Sequence, residues 1–188
     1  ISRIIDGEIE SVMSDSIAKS KITDIFITQS GDLWASTQNG YLISINSNGV
    51  TTKFDLYFDK KKINCISGIL DSQILVGTSD GLYSWNLDTK NKPVKEKIIQ
   101  IFKDKSILTI NQSKSDRNNF WIGTGESGFY QLNYQGNSKF RSRRFNDNPQ
   151  IMESSVQHIE EDQYKNLWVS TYQGLFKIIY DETKNGLF

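Results

Sequence analysis

The chain has 188 residues, of which 37% are apolar and 12% aromatic, and its Lys plus Arg equal its Asp plus Glu. That length gives one domain with a substantial core, and zero net charge supplies no field drawing it to nucleic acid or an anionic membrane. A lone cysteine, Cys65, and a lone histidine, His158, exclude a disulfide framework, a multi-thiolate metal site and a His-rich metal centre.

No run of 18 apolar residues occurs, so no segment reads as a membrane-spanning helix. No cofactor is expected. The opening "ISRIIDGEIE" has no initiator Met and no signal pattern, and reads as the interior of a longer, processed or excised protein.

Taken in chain order, residues 1–21 carry two extended runs around Gly7. "ISRIIDGEIESV" lines up with "ISINSNGVTTKF" from Ile43, setting Gly7 against Gly49. These residues therefore read as the last two strands, C and D, of a preceding unit. A first complete unit spans 22–58. It runs "ITDIFI", then "GDLWASTQNGYLISIN", then "VTTKFDLYF". A second, 63–103, runs "INCISGI", "SQILVGTSDGLYSWN", "VKEKIIQIF". A third, 106–146, runs "ILTINQ", "NNFWIGTGESGFYQLN", "KFRSRRF". A fourth, 155–188, runs "VQHIEE", "KNLWVSTYQGLFKII", and stops after its strand C, without an outer strand of its own.

The units align on Thr37, Thr78, Thr124 and Thr171, spaced by 41, 46 and 47 residues. Three places before each Thr stands a bulky residue: Trp34, Leu75, Trp121 and Trp168. Immediately before it stands a small one: Ser36, Gly77, Gly123 and Ser170. A turn glycine follows: Gly40, Gly81, Gly128 and Gly174. Upstream, each strand A opens with apolar residues three apart. Four short strands repeated every 40 to 50 residues are the signature of a β-propeller.

Strand B supports this fold. Phe120 and Ile122 face one side while Trp121 and Gly123 face the other. With both faces apolar or small, the strand must be covered on both sides, as stacked blades provide. The small residue leaves room for the neighbouring blade to approach. Asn39-Gly40 and Asp80-Gly81 predict two-residue type I′ hairpins. Two architectures accommodate the chain. The N-terminal strand completes blade 4 and closes a four-bladed ring, or the chain is an open arc of a larger propeller. The atypical start favours an arc, or an assembly in which copies exchange strands.

At these residues the chain resembles the two-component regulator propeller repeat, I-x-x-I, then D-x-x-G-N-L-W-I-G-T, then a turn and G-L-Y-R-Y-D. "FWIGTGESGFYQLN" and "DQYKNLWVSTYQGLFKI" match closely, while "SGDLWAST" and "ILVGTSDGLYSWN" match with substitutions. The resemblance covers nearly the whole chain. It implies the periplasmic or extracellular sensor part of a membrane-anchored bacterial hybrid histidine kinase, in proteins many of which detect complex carbohydrates. The implied partners are an oligosaccharide and the remaining blades of the same sensor or another copy. The four repeats carry no sandwich, transmembrane helix or kinase.

Three functional classes follow: a carbohydrate sensor segment, a scaffold for protein interaction, and an enzyme. The last rests on His158, because the streptogramin lyases resemble this chain in a "dGnlWft" run and carry a catalytic His; as a general base His158 needs an orienting partner and a cleft. Propeller geometry puts ligands on the face of the D-to-A and B-to-C loops, which nominates Asn39, Asp80, Glu126, Tyr172 and Gln173. An aromatic platform beside an amide, as in Tyr172-Gln173, suits a sugar. "EEDQYKN" reads as a solvated A-to-B turn ahead of a calcium loop. "DKKK" at Asp59 reads as a solvated loop. Arg141, Arg143 and Arg144 read as a charged edge that blocks strand pairing ahead of an anion site.

Overall fold

Strands that are apolar on both faces are covered by stacking sheets face to face, and the computed structural model does this. It describes residues 2–5, 8–11, 20–46, 48–55, 62–69, 73–87, 93–145, 149–181 and 186–187. A hairpin of β1 (Ser2–Ile5) and β2 (Glu8–Ser11) comes first. Blade 1 is β3 (Ile22–Ile27), β4 (Leu33–Thr37), β5 (Tyr41–Ile45) and β6 (Thr51–Asp55). Blade 2 is β7 (Ile63–Ile69), β8 (Gln73–Thr78), β9 (Leu82–Leu87) and β10 (Pro93–Ile98). Blade 3 is β11 (Ile107–Gln112), β12 (Asn119–Thr124), β13 (Phe129–Tyr134) and β14 (Phe140–Arg144). A short helix, α1 (Pro149–Met152), leads into the three-stranded blade 4, β15 (Val156–Glu161), β16 (Leu167–Thr171) and β17 (Gly174–Ile178). A small pair, β18 (Tyr180–Asp181) and β19 (Gly186–Leu187), ends the described chain. The protein is an all-β propeller of antiparallel blades.

The inner strands β3, β7, β11 and β15 pack on one another in that order. Each pair of neighbouring blades encloses its own core. Trp34 and Leu42 meet Ile63, Ile66, Ile74 and Val76. Leu75 and Leu82 meet Ile107, Ile110, Phe120 and Ile122. Trp121 and Phe129 meet Val156, Ile159, Leu167 and Val169. Alternate residues of strand B thus serve opposite interfaces, as the sequence pattern requires.

The apolar residues three apart on each strand A would face opposite ways on a regular strand. A register shift recurs after the first residue of all four: Ile22/Asp24, Ile63/Cys65, Ile107/Thr109 and Val156/His158. This bulge adds one residue and returns the two apolar side chains to the same face. Ile63 and Ile66 accordingly both enter the blade 1–2 core, and Val156 and Ile159 the blade 3–4 core.

The small residue before each Thr has a steric cause. A Cβ on Gly77 would lie 2.5 Å from Cys65 Sγ and 2.7 Å from Ile107 Cγ2. One on Gly123 would lie 2.6 Å from Thr109 Cγ2 and 2.9 Å from the Val156 carbonyl oxygen. In each case the obstacle includes the first residue of the next blade's inner strand.

The turns correct the sequence reading. Gly40 has φ +85°, but Asn39 does not share the left-handed region, and Gly40 N–H donates to Thr37 O at 3.1 Å. This is a type I turn followed by a left-handed glycine, not a type I′ turn. Gly81 has no positive φ either. A consecutive left-handed pair occurs instead at Asn137 and Ser138, in the β13–β14 turn. Lys165 (φ +65°) occupies the left-handed position that Gly31 (φ +86°) holds in blade 1, which is where the resembled motif has its glycine.

Among the described residues, no fourth strand pairs with β17 of blade 4. The β1–β2 hairpin forms a sheet by itself and is not the fourth strand of blade 4. Trp168 faces away from blade 3 and is 38% exposed, whereas Trp34 and Trp121 are 0% and 5% exposed.

A polar latch ties blade 3 to blade 4. Buried Glu161 accepts hydrogen bonds from Trp121 Nε1 (3.0 Å), Ser115 N–H (3.2 Å) and Ser115 Oγ (2.6 Å). Burial pushes this carboxyl upward, but the Ser115, Ser113 and Trp121 donors outweigh it and hold the group below its ordinary value of 4.5. Gly68 stands at the equivalent position of blade 2 by register. Among the described residues, the buried Trp34 Nε1, counterpart of Trp121, has no hydrogen-bond partner.

Two outcomes are expected. Gly123→Ala forces the blade 3–4 approach apart and lowers unfolding stability by about 2–3 kcal/mol, read from urea denaturation; a loss under ~0.5 kcal/mol would remove the steric account. Because Glu161 has a depressed value in the folded state, its stabilisation is fully present above about pH 4.5 and is lost as pH falls through the lower folded value. Glu161→Gln should cost about 1–3 kcal/mol at neutral pH and flatten the stability profile below pH ~4.5, measured by denaturation at a series of pH values.

Candidate functional site

Each blade's threonine closes its own B-to-C turn. The hydroxyls donate across the turn to Tyr41 O (3.4 Å, from Thr37), Gly81 O (3.0 Å, from Thr78), Gly128 O (2.8 Å, from Thr124) and Gly174 O (3.2 Å, from Thr171). The turn residues between are therefore held outward on one face of the arc. Asn39 and Glu126 are exposed there. Asp80 is half-buried and accepts a hydrogen bond from Thr78 Oγ1 at 2.8 Å. Its carbonyl receives Asp104 N–H at 2.8 Å, which joins the turn to the connection between blades 2 and 3. Asn39, Asp80 and Glu126 each sit on a different blade.

Tyr172 and Gln173 differ from these three. Tyr172 is 83% exposed. Gln173 lines an open groove of about 470 Å³ with Pro149, Gln150, Glu153 and Phe176. The groove exists because α1 interrupts the connection from blade 3 to blade 4. Arg144 fixes this helix, donating from Nη2 to Met152 O at 2.7 Å and from Nε to Ser127 O at 3.1 Å. Ser154 Oγ donates to Gln173 Oε1 at 2.7 Å and also to Gln150 O. The groove thus offers one aromatic ring, two amides and a carboxylate, a set that fits the hydroxyls and apolar faces of a sugar. Gln150, Glu153 and Phe176 were not among the residues nominated from the sequence. The signal for them was Pro149, whose fixed φ suits the first turn of a helix.

By register, Asp24, Cys65, Thr109 and His158 are equivalent and stand opposite Ser36, Gly77, Gly123 and Ser170. Asp24 accepts Ile66 N–H of the next blade (2.9 Å) and Ile25 N–H (2.8 Å). Burial raises its carboxyl above the ordinary range, against the pull of those two donors and of His158. Burial also pushes the Cys65 thiol well up, which suits a packing residue and not a nucleophile. The His158 side chain is 59% exposed, and its Nε2 lies 3.8 Å from Glu160 Oε2, beyond hydrogen-bond reach.

The acidic run is occupied by protein partners. Glu160 pairs with Lys114. Asp162 accepts hydrogen bonds from Asn166 Nδ2 (3.0 Å), Asn166 N–H (2.9 Å), Trp168 Nε1 (3.2 Å) and Tyr164 N–H (2.9 Å), which hold its carboxyl low, the Asn166 side chain first. On the basic strand, Arg143 lies over the Phe145 ring at 5.1 Å, Arg144 clamps α1, and Arg141 is exposed. Residues 59–61 of the "DKKK" loop lie outside the described residues. No helix among the described residues is long and apolar enough to cross a membrane.

No protein-family profile matches the chain. A histidine kinase, P4, of Formosa agariphila is 28% identical over 176 residues, covering 89% of this chain and 10% of that protein. The chain thus spans about a tenth of that relative's length. Among solved structures, it is similar to the extracellular domain of a Bacteroides thetaiotaomicron protein described as a hybrid two-component system. That likeness has 25% identity and a TM-score of 0.55, over 80% of this chain and 19% of that one. It is also similar to virginiamycin B lyase of Staphylococcus aureus, with 14% identity and a TM-score of 0.61, over 89% of this chain and 58% of that one. The second likeness is one of fold. The first two agree with the resemblance carried by the repeats: the chain is similar in sequence to a histidine kinase and in fold to the extracellular domain of a two-component system.

Proposed function

From this similarity we propose that the chain is a non-catalytic part of the periplasmic or extracellular sensing region of a two-component regulator, and that it helps detect carbohydrate. The observation that carries the carbohydrate reading is the groove beside blade 4, lined by Gln173, Gln150, Glu153 and Phe176, with the exposed Tyr172 next to Gln173 in the chain. Uncharged amides and one carboxylate around an aromatic face bind hydroxyl arrays without needing a charged ligand. The sensor reading has the support of sequence similarity to a histidine kinase along most of the chain. The lyase reading has the support of fold alone, and His158 stands outside hydrogen-bond reach of its acidic neighbour.

A second reading, a scaffold for protein interaction, is favoured by the exposed Trp168, Leu175 and Ile179 on blade 4. Calorimetric titration with neutral and acidic oligosaccharides separates the two. Saturable binding that falls at least tenfold in Tyr172→Ala or Gln173→Ala, and is unchanged in His158→Ala, supports carbohydrate detection in this segment. Binding indifferent to both Tyr172 and Gln173 removes this groove as the carbohydrate site, and no binding leaves the scaffold.

A further inference from the structure

The opposite face of the arc, where the inner strands end in A-to-B turns, carries a separate cavity of about 200 Å³. It lies across three blades and is lined by Phe26, Thr28, Gln29, Ser67, Gly68 and Gln112. By register, Ile27, Gly68 and Gln112 are the same position on β3, β7 and β11, and Glu161 holds it on β15. The cavity is there because the middle blade supplies no side chain at this position. Phe26 keeps it that way, since a Cβ on Gly68 would lie 2.7 Å from the Phe26 ring. Phe26 is itself braced by stacking on Trp34 at 6.3 Å.

Among the described residues, the polar groups facing this space are uncharged. Ser67 is 8% exposed, and among the described residues its hydroxyl makes no hydrogen bond. Gln112 uses Nε2 on Arg117 O at 2.8 Å, which leaves Oε1 as an acceptor. A nearly buried hydroxyl and an oriented amide oxygen, both without partners among the described residues, favour a ligand that supplies both donors and acceptors. Among the described residues no charged side chain lines the cavity, which disfavours an ionic ligand that would be desolvated without compensation. At about 30 Å³ per water, the volume holds roughly six waters, or one ring of pyranose size.

We infer that this cavity is a second binding site, distinct from the groove at Gln173, for a single small uncharged polyhydroxylated ring. The ligand hydroxyls exchange hydrogen bonds with Ser67 Oγ and Gln112 Oε1 while the ring packs on Phe26. A molecule seated there touches inner strands of three blades and is expected to stabilise both interfaces between them.

The test is saturation-transfer NMR and calorimetry on the full chain with glucose, galactose, xylose and N-acetylglucosamine, and with glucuronate as the charged comparison. The expected result is binding of at least one neutral sugar and not of glucuronate, weakened tenfold or more in Ser67→Ala and in Gln112→Ala and unchanged in Gln173→Ala. Gln112 is exposed, so its variant keeps the test valid should Ser67→Ala fail to fold. Binding lost in Gln173→Ala but retained in the other two overturns this site and leaves the groove reading standing. Binding of none of the four neutral sugars overturns it as well.

Discussion

The closeness of neighbouring inner strands governs the structure. Gly123 lets the backbone of Val156 approach to a distance that one methyl group would forbid, and Gly77 does so for the side chain of Ile107. Held further apart, the apolar faces of the two blades would lose the contact on which dispersion and close packing depend. The bulge in each strand A follows from the same demand, because it turns two apolar side chains toward the blade behind while the strand edge stays in register. The Trp, the small residue and the Thr of each repeat therefore answer three parts of one problem. The Trp fills the interface, the small residue allows the approach, and the Thr hydroxyl ends strand B at the right place.

What the sequence made legible was whatever each blade must solve separately. The Thr spacing, the small residue before it and the alternation on strand B all follow from local needs met four times, and they led directly to stacked blades. The bulge left a trace, in apolar residues three apart, but that spacing does not by itself distinguish a bulged strand from a helical turn. Asn39-Gly40 was misassigned because the pair suits a type I turn with a left-handed glycine as well as a type I′ turn. The choice is made by where Thr37 stops the strand. Of the nominated residues, Gln173 lines a groove, but Glu153 and Phe176 come from different elements and share no sequence pattern with it. The cavity at Gly68 was invisible for another reason. It is an absence, detectable only after three inner strands are set in register.

The interfaces share a plan and differ at one end. At the B-to-C turns the threonine imposes the same closure on every blade. At the other end of the inner strand the chemistry changes from blade to blade. Glu161 joins Trp121 and the Ser115 turn into a charged, buried latch. Two interfaces earlier, between blades 1 and 2, Gly68 replaces the acid and the Phe26 ring stacks on Trp34 instead. These two solutions are not interchangeable one residue at a time. A carboxylate at 68 would meet the Phe26 ring, and a glycine at 161 would leave the Trp121 N–H and the Ser115 hydroxyl without their acceptor.

That difference bears on how a propeller of this kind can respond to a ligand. In a repeat protein each unit contacts only its neighbours, so stability is close to a sum of unit and interface contributions. A ligand shifts such a structure only by the difference in its affinity for two arrangements. A molecule held by one turn of one blade leaves every interface as it was. The groove at Gln173 lies where α1, held by Arg144 of blade 3, meets β17 of blade 4, and so reports on one interface. The cavity at Gly68 lies across β3, β7 and β11 and reports on two. The places where the repeat departs from its own pattern are therefore the places where occupancy can alter the relation between blades. The inserted helix and the missing side chain, more than the shared Trp and Thr, give this arc the means to respond.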